Sequence, residues 1–335
     1  MSKDARGRTI DYLRISVTDR CNLRCIYCMP EKGIPAKTHE EILSFEEIVR
    51  FTREAARYGI THIRLTGGEP LVRLGLSDLI RDLHAIDGIS DISLTTNGIL
   101  LPRYAKELKA VGLNRVNISL DTLDPDIYHT LTRLGSLDSV FRGIDAAFEA
   151  GLSPIKLNAV AVREFMKDPF EFAQLSMDRP LHVRFIEYMP IGHSFGAEGH
   201  GWTAEDSMSS EELFETINAE ASKRGMSPLV ALNENQAPFG AGPASYYAFE
   251  GAQGTVGFIS PMSRHFCSSC NRLRLTSDGK LRPCLFSDTE IDVRSALRAH
   301  NEMGVRAALA EALRLKPEDH SAYTSTEKDM AMIGG

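Results

Sequence analysis

Between residues 13 and 187, short apolar or alternating runs recur, each separated from the next by a stretch with helical spacing. Residues 13–17 alternate apolar and polar side chains and predict a strand. Ser44-Phe-Glu-Glu47 has the form of a capping box and predicts a helix to about residue 58, stopped by Gly59. Further strands are predicted over 62–65, 91–95, 115–120, 155–162 and 182–187, with helices near 76–86, 101–111 and 140–150. Asp124-Pro125 reads as one more helix start, with proline in the first turn. Six strands alternating with helices is the pattern of an α/β parallel sheet with crossover helices. In a (β/α) barrel the loops that follow the strands gather at one end, and that end carries the chemistry. Six strands are too few to close an eight-stranded barrel.

The second half of the chain changes character. Residues 190–209 are rich in Gly, His and Ser and read as a long loop, followed by a helix over about 209–224. His193 and His200 in that loop are candidate ligands, although loop histidines are usually just solvated. Short strands are predicted over 246–249, 255–259, 273–276 and 281–282, then a helical pair over about 291–313. Residues 316–335 are polar and read as a mobile tail. The expected division is 1–225 for the barrel and 226–335 for a C-terminal region.

Apolar residues make up 43% of the 335-residue chain and charged residues 25%, the proportions of a globular protein. The formal charge of −7 argues against general nucleic-acid binding, so any nucleotide must meet a local group of cations. No apolar run reaches membrane-spanning length, and the polar N-terminus is not a signal peptide; no membrane association is expected.

The cysteines carry the most specific signal. There are six, in two groups of three: Cys21, Cys25 and Cys28 as C-x3-C-x2-C, and Cys267, Cys270 and Cys284 as C-x2-C-x13-C. A disulfide framework is improbable in a chain of this size with no secretory signal, which reads as cytosolic. Three thiolates in one tight loop are one short of a closed zinc or four-cysteine cluster site, and point to a cluster with one iron left open. Unrelated reduced thiols or half a zinc site are the plainer readings. For the second group, spacing leaves a zinc site with His265 and an iron–sulfur cluster equally open.

Other residues gather near the predicted strand ends. Gly67 and Gly68 lack side chains and would let backbone approach a ligand closely. Arg272 and Arg274 are two apart on a predicted strand and share one face, just after Cys270. Arg14, Arg64, Lys156 and Arg184 lie on or beside other strands, where buried charge is unusual unless paired. Guanidinium forks at one barrel mouth would suit triphosphate and guanine acceptors.

The first cysteine loop, with Tyr27 before its last cysteine, resembles that of the radical S-adenosylmethionine (SAM) enzymes. The flanking text, Leu13-Arg14-Ile-Ser-Val-Thr-Asp-Arg20-Cys21 and Cys28-Met-Pro, is similar to one family among them, the GTP 3′,8-cyclases that open molybdenum-cofactor biosynthesis. The likeness runs from about residue 7 to the last residue. It implies an open six-stranded partial barrel and two [4Fe–4S] clusters, one on Cys21, Cys25 and Cys28, the other on Cys267, Cys270 and Cys284. Tyr27, Gly68, Ser119 and Met189 match SAM-contacting positions, although a methionine such as Met189 is more often core filler. Arg14, Arg64, Thr95, Lys156, Arg272 and Arg274 match GTP-contacting ones. The implied reaction uses a 5′-deoxyadenosyl radical to take the hydrogen from ribose C3′ of GTP. C3′ then bonds to guanine C8, and an electron and a proton complete the cyclised dihydro-GTP.

The same resemblance implies a flavodoxin- or ferredoxin-type electron donor and a downstream cyclic pyranopterin monophosphate synthase. It also implies a cytoplasmic location, and it leaves room for a homodimer. The chain ends in Gly334-Gly335, as the family does, where the pair reaches into the active site; the plainer reading is a frayed end. One departure is the segment 163–168, Arg-Glu-Phe-Met-Lys-Asp, where the family often has an Arg-Gly-Asn-Asp-like turn. Two rivals remain: another radical SAM enzyme with an auxiliary cluster, such as a peptide modifier, and a non-catalytic iron–sulfur or zinc sensor.

Overall fold

The computed structural model describes residues 3–35, 37–192, 202–240, 242–320 and 328–334. The six predicted strands form: β1 (Tyr12–Ser16), β2 (His62–Thr66), β3 (Asp91–Thr96), β4 (Arg115–Ser119), β5 (Ile155–Ala161) and β6 (Leu181–Glu187). All pair in parallel and in chain order. The crossovers carry α1 (Phe45–Arg57), α2 (Leu76–His84), α3 (Leu101–Ala110), the pair α4 (Pro125–Thr132) and α5 (Leu137–Glu149), and α6 (Pro169–Asp178). The Ser44–Glu47 capping box is present at the start of α1. Helix α6 falls in a stretch for which the sequence predicts no helix. Asp168 caps it by accepting from the Phe170 and Glu171 N–H groups, with Pro169 in its first turn.

The C-terminal half extends this sheet on both flanks. After α7 (Ser210–Lys223), the strands β7 (Val230–Ala231), β8 (Ser245–Ala248) and β9 (Thr255–Ile259) follow, and β9 joins β6 in parallel. Strand β10 (Arg272–Leu275) joins β1 in parallel at the opposite edge, backed by antiparallel β11 (Lys280–Arg282) and β12 (Ile291–Asp292). Eight parallel strands therefore run β10-β1-β2-β3-β4-β5-β6-β9 within a single open sheet of 12 strands among the described residues. The predicted helical pair begins later than expected, as α8 (Arg294–Arg298) and α9 (Glu302–Arg314), because residues 291–292 are drawn into the sheet edge.

Period two divides the strands cleanly. Leu13, Ile15, Ile63, Leu65, Ile92, Leu94, Val116, Ile118 and Leu157 face the helices, all essentially inaccessible, within one continuous core. The opposite face is polar. Across the strands, Arg14 lies opposite Arg274 and Arg64, Arg64 opposite Ser93, and Asn158 opposite Ser119 and Arg184. An ordinary barrel fills this space with branched apolar side chains; here it is a polar chamber. On the same face of β3 and β4, Arg115 and Asp91 form a buried ion pair, with contacts of 3.0 and 2.6 Å.

The tail departs from expectation. Lys316 and His320 are buried, and residues 330–333 form the short helix α10 (Met330–Ile333), with Ala331 and Ile333 each 1% exposed. The apolar residues among polar neighbours dock this end of the chain, as a free terminus would not. Gly335, His193 and His200 lie outside the described residues.

Candidate active site

The first cysteine loop leaves β1 and is held by its neighbours. Its backbone meets the end of α4, where Arg24 and Ile26 N–H donate to Thr132 and Leu131 carbonyls, each at 3.0 Å. The Gly67-Gly68-Glu69 turn after β2 lies against the segment leading into the loop. Gly68 N–H donates to the Thr18 carbonyl and Glu69 N–H to the Arg20 carbonyl, both at 2.9 Å. A Cβ on Gly68 would stand 2.5 Å from the Arg20 carbonyl oxygen. The missing side chain thus serves the packing of turn on loop. Glu69 is fully buried and accepts from Leu71 N–H (3.0 Å), Thr96 Oγ1 (2.9 Å) and Asn97 N–H (2.7 Å). Asn97 in turn donates to Asn22 at 2.8 Å, beside Cys21. Burial pushes the Glu69 carboxyl up to about 7.

Cys270 differs electrostatically from the first group, whereas burial raises Cys267 as it does the first three. Burial raises Cys21 to about 11 and Cys28 to about 12, and burial together with the neighbouring Cys28 holds Cys25 well above the ordinary thiol value. In the second group burial opposes ionisation of Cys270, but Arg272 and Lys316 outweigh it and bring this thiol down to about 6. Lys316 Nζ lies 3.5 Å from Cys270 Sγ and also donates to the carbonyls of Arg272 (2.7 Å) and Pro283 (2.9 Å). His320 Nδ1 lies 3.4 Å from Cys267 Sγ, with its ring stacked on Phe286 at 4.5 Å. His265 turns its Nδ1 to the Pro261 carbonyl at 2.9 Å. Among the described residues, no three His, Cys, Asp or Glu side chains converge on one metal-ion position. A cluster's thiolates each take a separate iron, so its ligands stand around it rather than meet at a point. Two groups of three half-buried thiols lining one cavity fit that larger group.

That cavity, of about 490 Å³, is lined by all six cysteines. Its walls carry Arg14, Arg64, Arg184, Arg272 and Arg274, with Asp121 as the one carboxylate among the described residues. Burial and mutual repulsion work against the cations. Arg14 is lowered well below its ordinary value by burial and by Arg274 and Arg64, and Arg274 is brought to about 9 by burial and Arg272. Arg64 Nη2, Arg184 Nε and Thr95 Oγ1 are buried with no partner among the described residues. Arg184 is held by Asn117 and Asn158 at 2.7 and 2.5 Å. An anionic ligand with many acceptor oxygens would satisfy these groups at once.

The sequence-predicted residues mostly converge here. Tyr27, Gly68, Ser119, Met189, Thr95, Arg14, Arg64, Arg272 and Arg274 all line the cavity. Tyr27 donates to Asp121 at 2.6 Å, and Asp121 also accepts from Val160 N–H at 2.8 Å; burial brings its carboxyl to about 6. Lys156 stands apart, below the cavity, where its Nζ donates to the Phe239 carbonyl at 2.7 Å and burial lowers it to about 6. Arg272 packs over the Phe266 ring at 4.9 Å. The tail enters between β1, β2 and β10. The Gly334 carbonyl accepts from Arg274 Nη1 at 3.0 Å and Thr66 Oγ1 at 3.3 Å. Gly334 adopts φ +71°, and a Cβ there would lie 2.8 Å from Ser16 and Thr66 atoms. Asp121, Lys316 and His320 are site residues for which sequence reasoning assigns no role.

A profile of the radical SAM superfamily matches residues 15–175, and one of the molybdenum cofactor synthesis C-terminal region matches residues 181–322. The fold agrees: the solved structure of anSMEcpe with bound AdoMet superposes with a TM-score of 0.61, over 93% of this chain and 79% of that one, at 15% identity. The fold is therefore that of a radical SAM protein. The GTP 3′,8-cyclase of Pelotomaculum thermopropionicum is 50% identical over 99% of this chain and 100% of its own length. That of Moorella thermoacetica is also 50% identical, over the same shares. This chain belongs to the GTP 3′,8-cyclase family.

Proposed function

We infer that the chain converts GTP to (8S)-3′,8-cyclo-7,8-dihydroguanosine 5′-triphosphate, the first step of molybdenum-cofactor biosynthesis, using two [4Fe–4S] clusters and SAM. The observation that carries this reading is a single chamber lined by both groups of three cysteines and by five arginines. Cys21, Cys25 and Cys28 would hold the first cluster, and Cys267, Cys270 and Cys284 the second. When loaded, the first cluster and SAM supply the radical that takes hydrogen from ribose C3′ of GTP. The protein's part is to bind, orient and exclude water.

Tyr27, Gly68, Ser119 and Met189 place SAM beside the first loop. Asp121, fixed by Tyr27 and Val160 N–H, adds an acceptor at the same end. Arg14, Arg64, Thr95, Arg184, Arg272 and Arg274 grip GTP, whose negative charge relieves their mutual repulsion. Lys156 acts from below, through the Pro238–Phe239 backbone. Gly334, seated on Arg274 and Thr66, brings the tail to the chamber and positions it for the radical step with Gly335. A low-potential flavodoxin or ferredoxin supplies electrons in the cytoplasm, and the product passes to a cyclic pyranopterin monophosphate synthase. Among the described residues no helix is long and apolar enough to cross a membrane. The test is anaerobic reconstitution and incubation with SAM, dithionite and GTP, followed by mass analysis. The expected result is about eight irons per chain, four per cluster, and a GTP isomer reduced at C8. Zinc, or a single cluster, would overturn the assignment.

A further inference from the structure

Residues 316–320 are polar in sequence and look dispensable, yet two of their side chains are buried against the second cysteine group. Lys316 is 4% exposed and His320 7%. Each addresses a different part of that group. Lys316 Nζ approaches Cys270 Sγ at 3.5 Å and ties down the carbonyls of Arg272 and Pro283, close to the Cys270 and Cys284 ligands. His320 Nδ1 approaches Cys267 Sγ at 3.4 Å, and its ring is clamped between Phe286 at 4.5 Å and the edge of His265 at 4.3 Å. Both ligand-bearing segments, the Cys267–Cys270 turn and the strand end before Cys284, are thereby fastened by two side chains four positions apart in sequence. Arg8 adds a further tie, donating to the Cys267 carbonyl at 2.7 Å.

We propose that Lys316 and His320 are positioning residues of the second [4Fe–4S] cluster, donating N–H···S bonds to its Cys270 and Cys267 ligands and thereby setting its reduction potential. This rests on the reading that the second cysteine group holds a cluster. A thiolate sulfur bound to iron can only accept, so His320 must carry its proton on Nδ1, and the Lys316 amine donates. Such bonds draw charge off the ligand sulfurs and favour the reduced cluster, which bears one more negative charge. The two donors are also the point at which the tail, which later seats Gly334 on Arg274, is fastened to the second cluster's ligands.

The experiment is an EPR-monitored redox titration of anaerobically reconstituted holoenzyme and four variants. Lys316→Met and His320→Leu remove a donor; Lys316→Arg and His320→Asn keep one in nearly the same place. Iron and sulfide are counted first, so that absence of a second cluster in the wild type defeats the underlying reading and not this inference alone. With both clusters present, Lys316→Met and His320→Leu should each make reduction of the second cluster tenfold harder or more, a fall of about 59 mV per decade for one electron. The first cluster's potential should not move. Lys316→Arg and His320→Asn should stay near the wild type. If the donor-removing variants fail to load the second cluster, the donor-keeping pair decides: both must load it at the wild-type potential. Coincident potentials in all five proteins would overturn the proposal. So would shifts in the donor-keeping pair as large as those in the donor-removing pair, which would mean packing alone.

Discussion

Gly68→Ala should unseat the first cysteine loop. The added methyl would meet the Arg20 carbonyl oxygen at 2.5 Å, with the Arg20 carbonyl carbon and the Asp19 oxygen at 2.8 Å. These are backbone atoms, so no side chain can swing aside. Relief requires the turn to part from residues 18–20, which breaks the Gly68-to-Thr18 and Glu69-to-Arg20 hydrogen bonds. Each such bond is worth about 1 kcal/mol net, and overpacking a tight contact costs about 1–3 kcal/mol. The sum is roughly 3–5 kcal/mol of stability on those same scales. Gly151→Ala is the control. Gly151 also sits in a tight turn, with φ +71°, but a Cβ there meets nothing within 4 Å. It should cost only the strain of that backbone, about 1 kcal/mol. Urea unfolding of the metal-free proteins gives the stabilities, and iron analysis after reconstitution gives the loading. Gly68→Ala should lose the first cluster selectively and keep the second. A variant as stable as wild type, with both clusters intact, would refute the contact as the reason for glycine at 68.

Four further outcomes follow from named contacts. Ala at Arg272 or Arg274 should weaken GTP binding by about 1.5–3 kcal/mol, the range for hydrogen bonds to charged groups, with SAM cleavage retained; isothermal titration with GTP checks it, and unchanged affinity in both removes them from the site. Deleting Gly334 and Gly335 should leave clusters and melting temperature near normal while cyclisation falls steeply, since the Gly334 carbonyl rests on only two side-chain donors, Arg274 and Thr66, among the described residues. Asp91→Asn leaves Arg115 buried without its charge partner and should cost about 3–5 kcal/mol by the general scale for such pairs, read from urea midpoints. In metal-free protein, Cys270 should be alkylated as pH rises through about 6, and Cys21 only toward about 11. Thiolate is the reactive form, so alkylation of both at one pH would contradict the Arg272 and Lys316 effect.

The barrel strands were legible because their outward residues are apolar at period two and their ends carry turn residues. Predicted ranges fall within a residue or two of β1 to β6. What the sequence did not disclose is where β9 and β10 would pair. Both read as short strands of a separate region, yet Leu273 and Leu275 continue the same core as Leu13 and Ile15. Parallel pairing across so many residues leaves no local signal. Helix α6 was hidden for the opposite reason: its start signal, Asp168-Pro169, followed a segment that departs from the family's usual turn. The cysteines and most arginines of the site were visible by type and spacing. Lys316 and His320 were not, because a lysine and a histidine in a polar tail look solvated until the fold buries them. Glu69 and Asp121 likewise reveal their roles only through the donors that reach them.

The central claim is that one chamber delivers a SAM-derived radical to ribose C3′ of GTP. Supplying reconstituted enzyme with GTP deuterated at C3′, SAM and dithionite tests it most directly. The predicted result is 5′-deoxyadenosine carrying the deuterium, formed in step with a GTP isomer closed between C3′ and C8. Unlabelled 5′-deoxyadenosine, or GTP recovered unchanged while SAM is consumed, would contradict it.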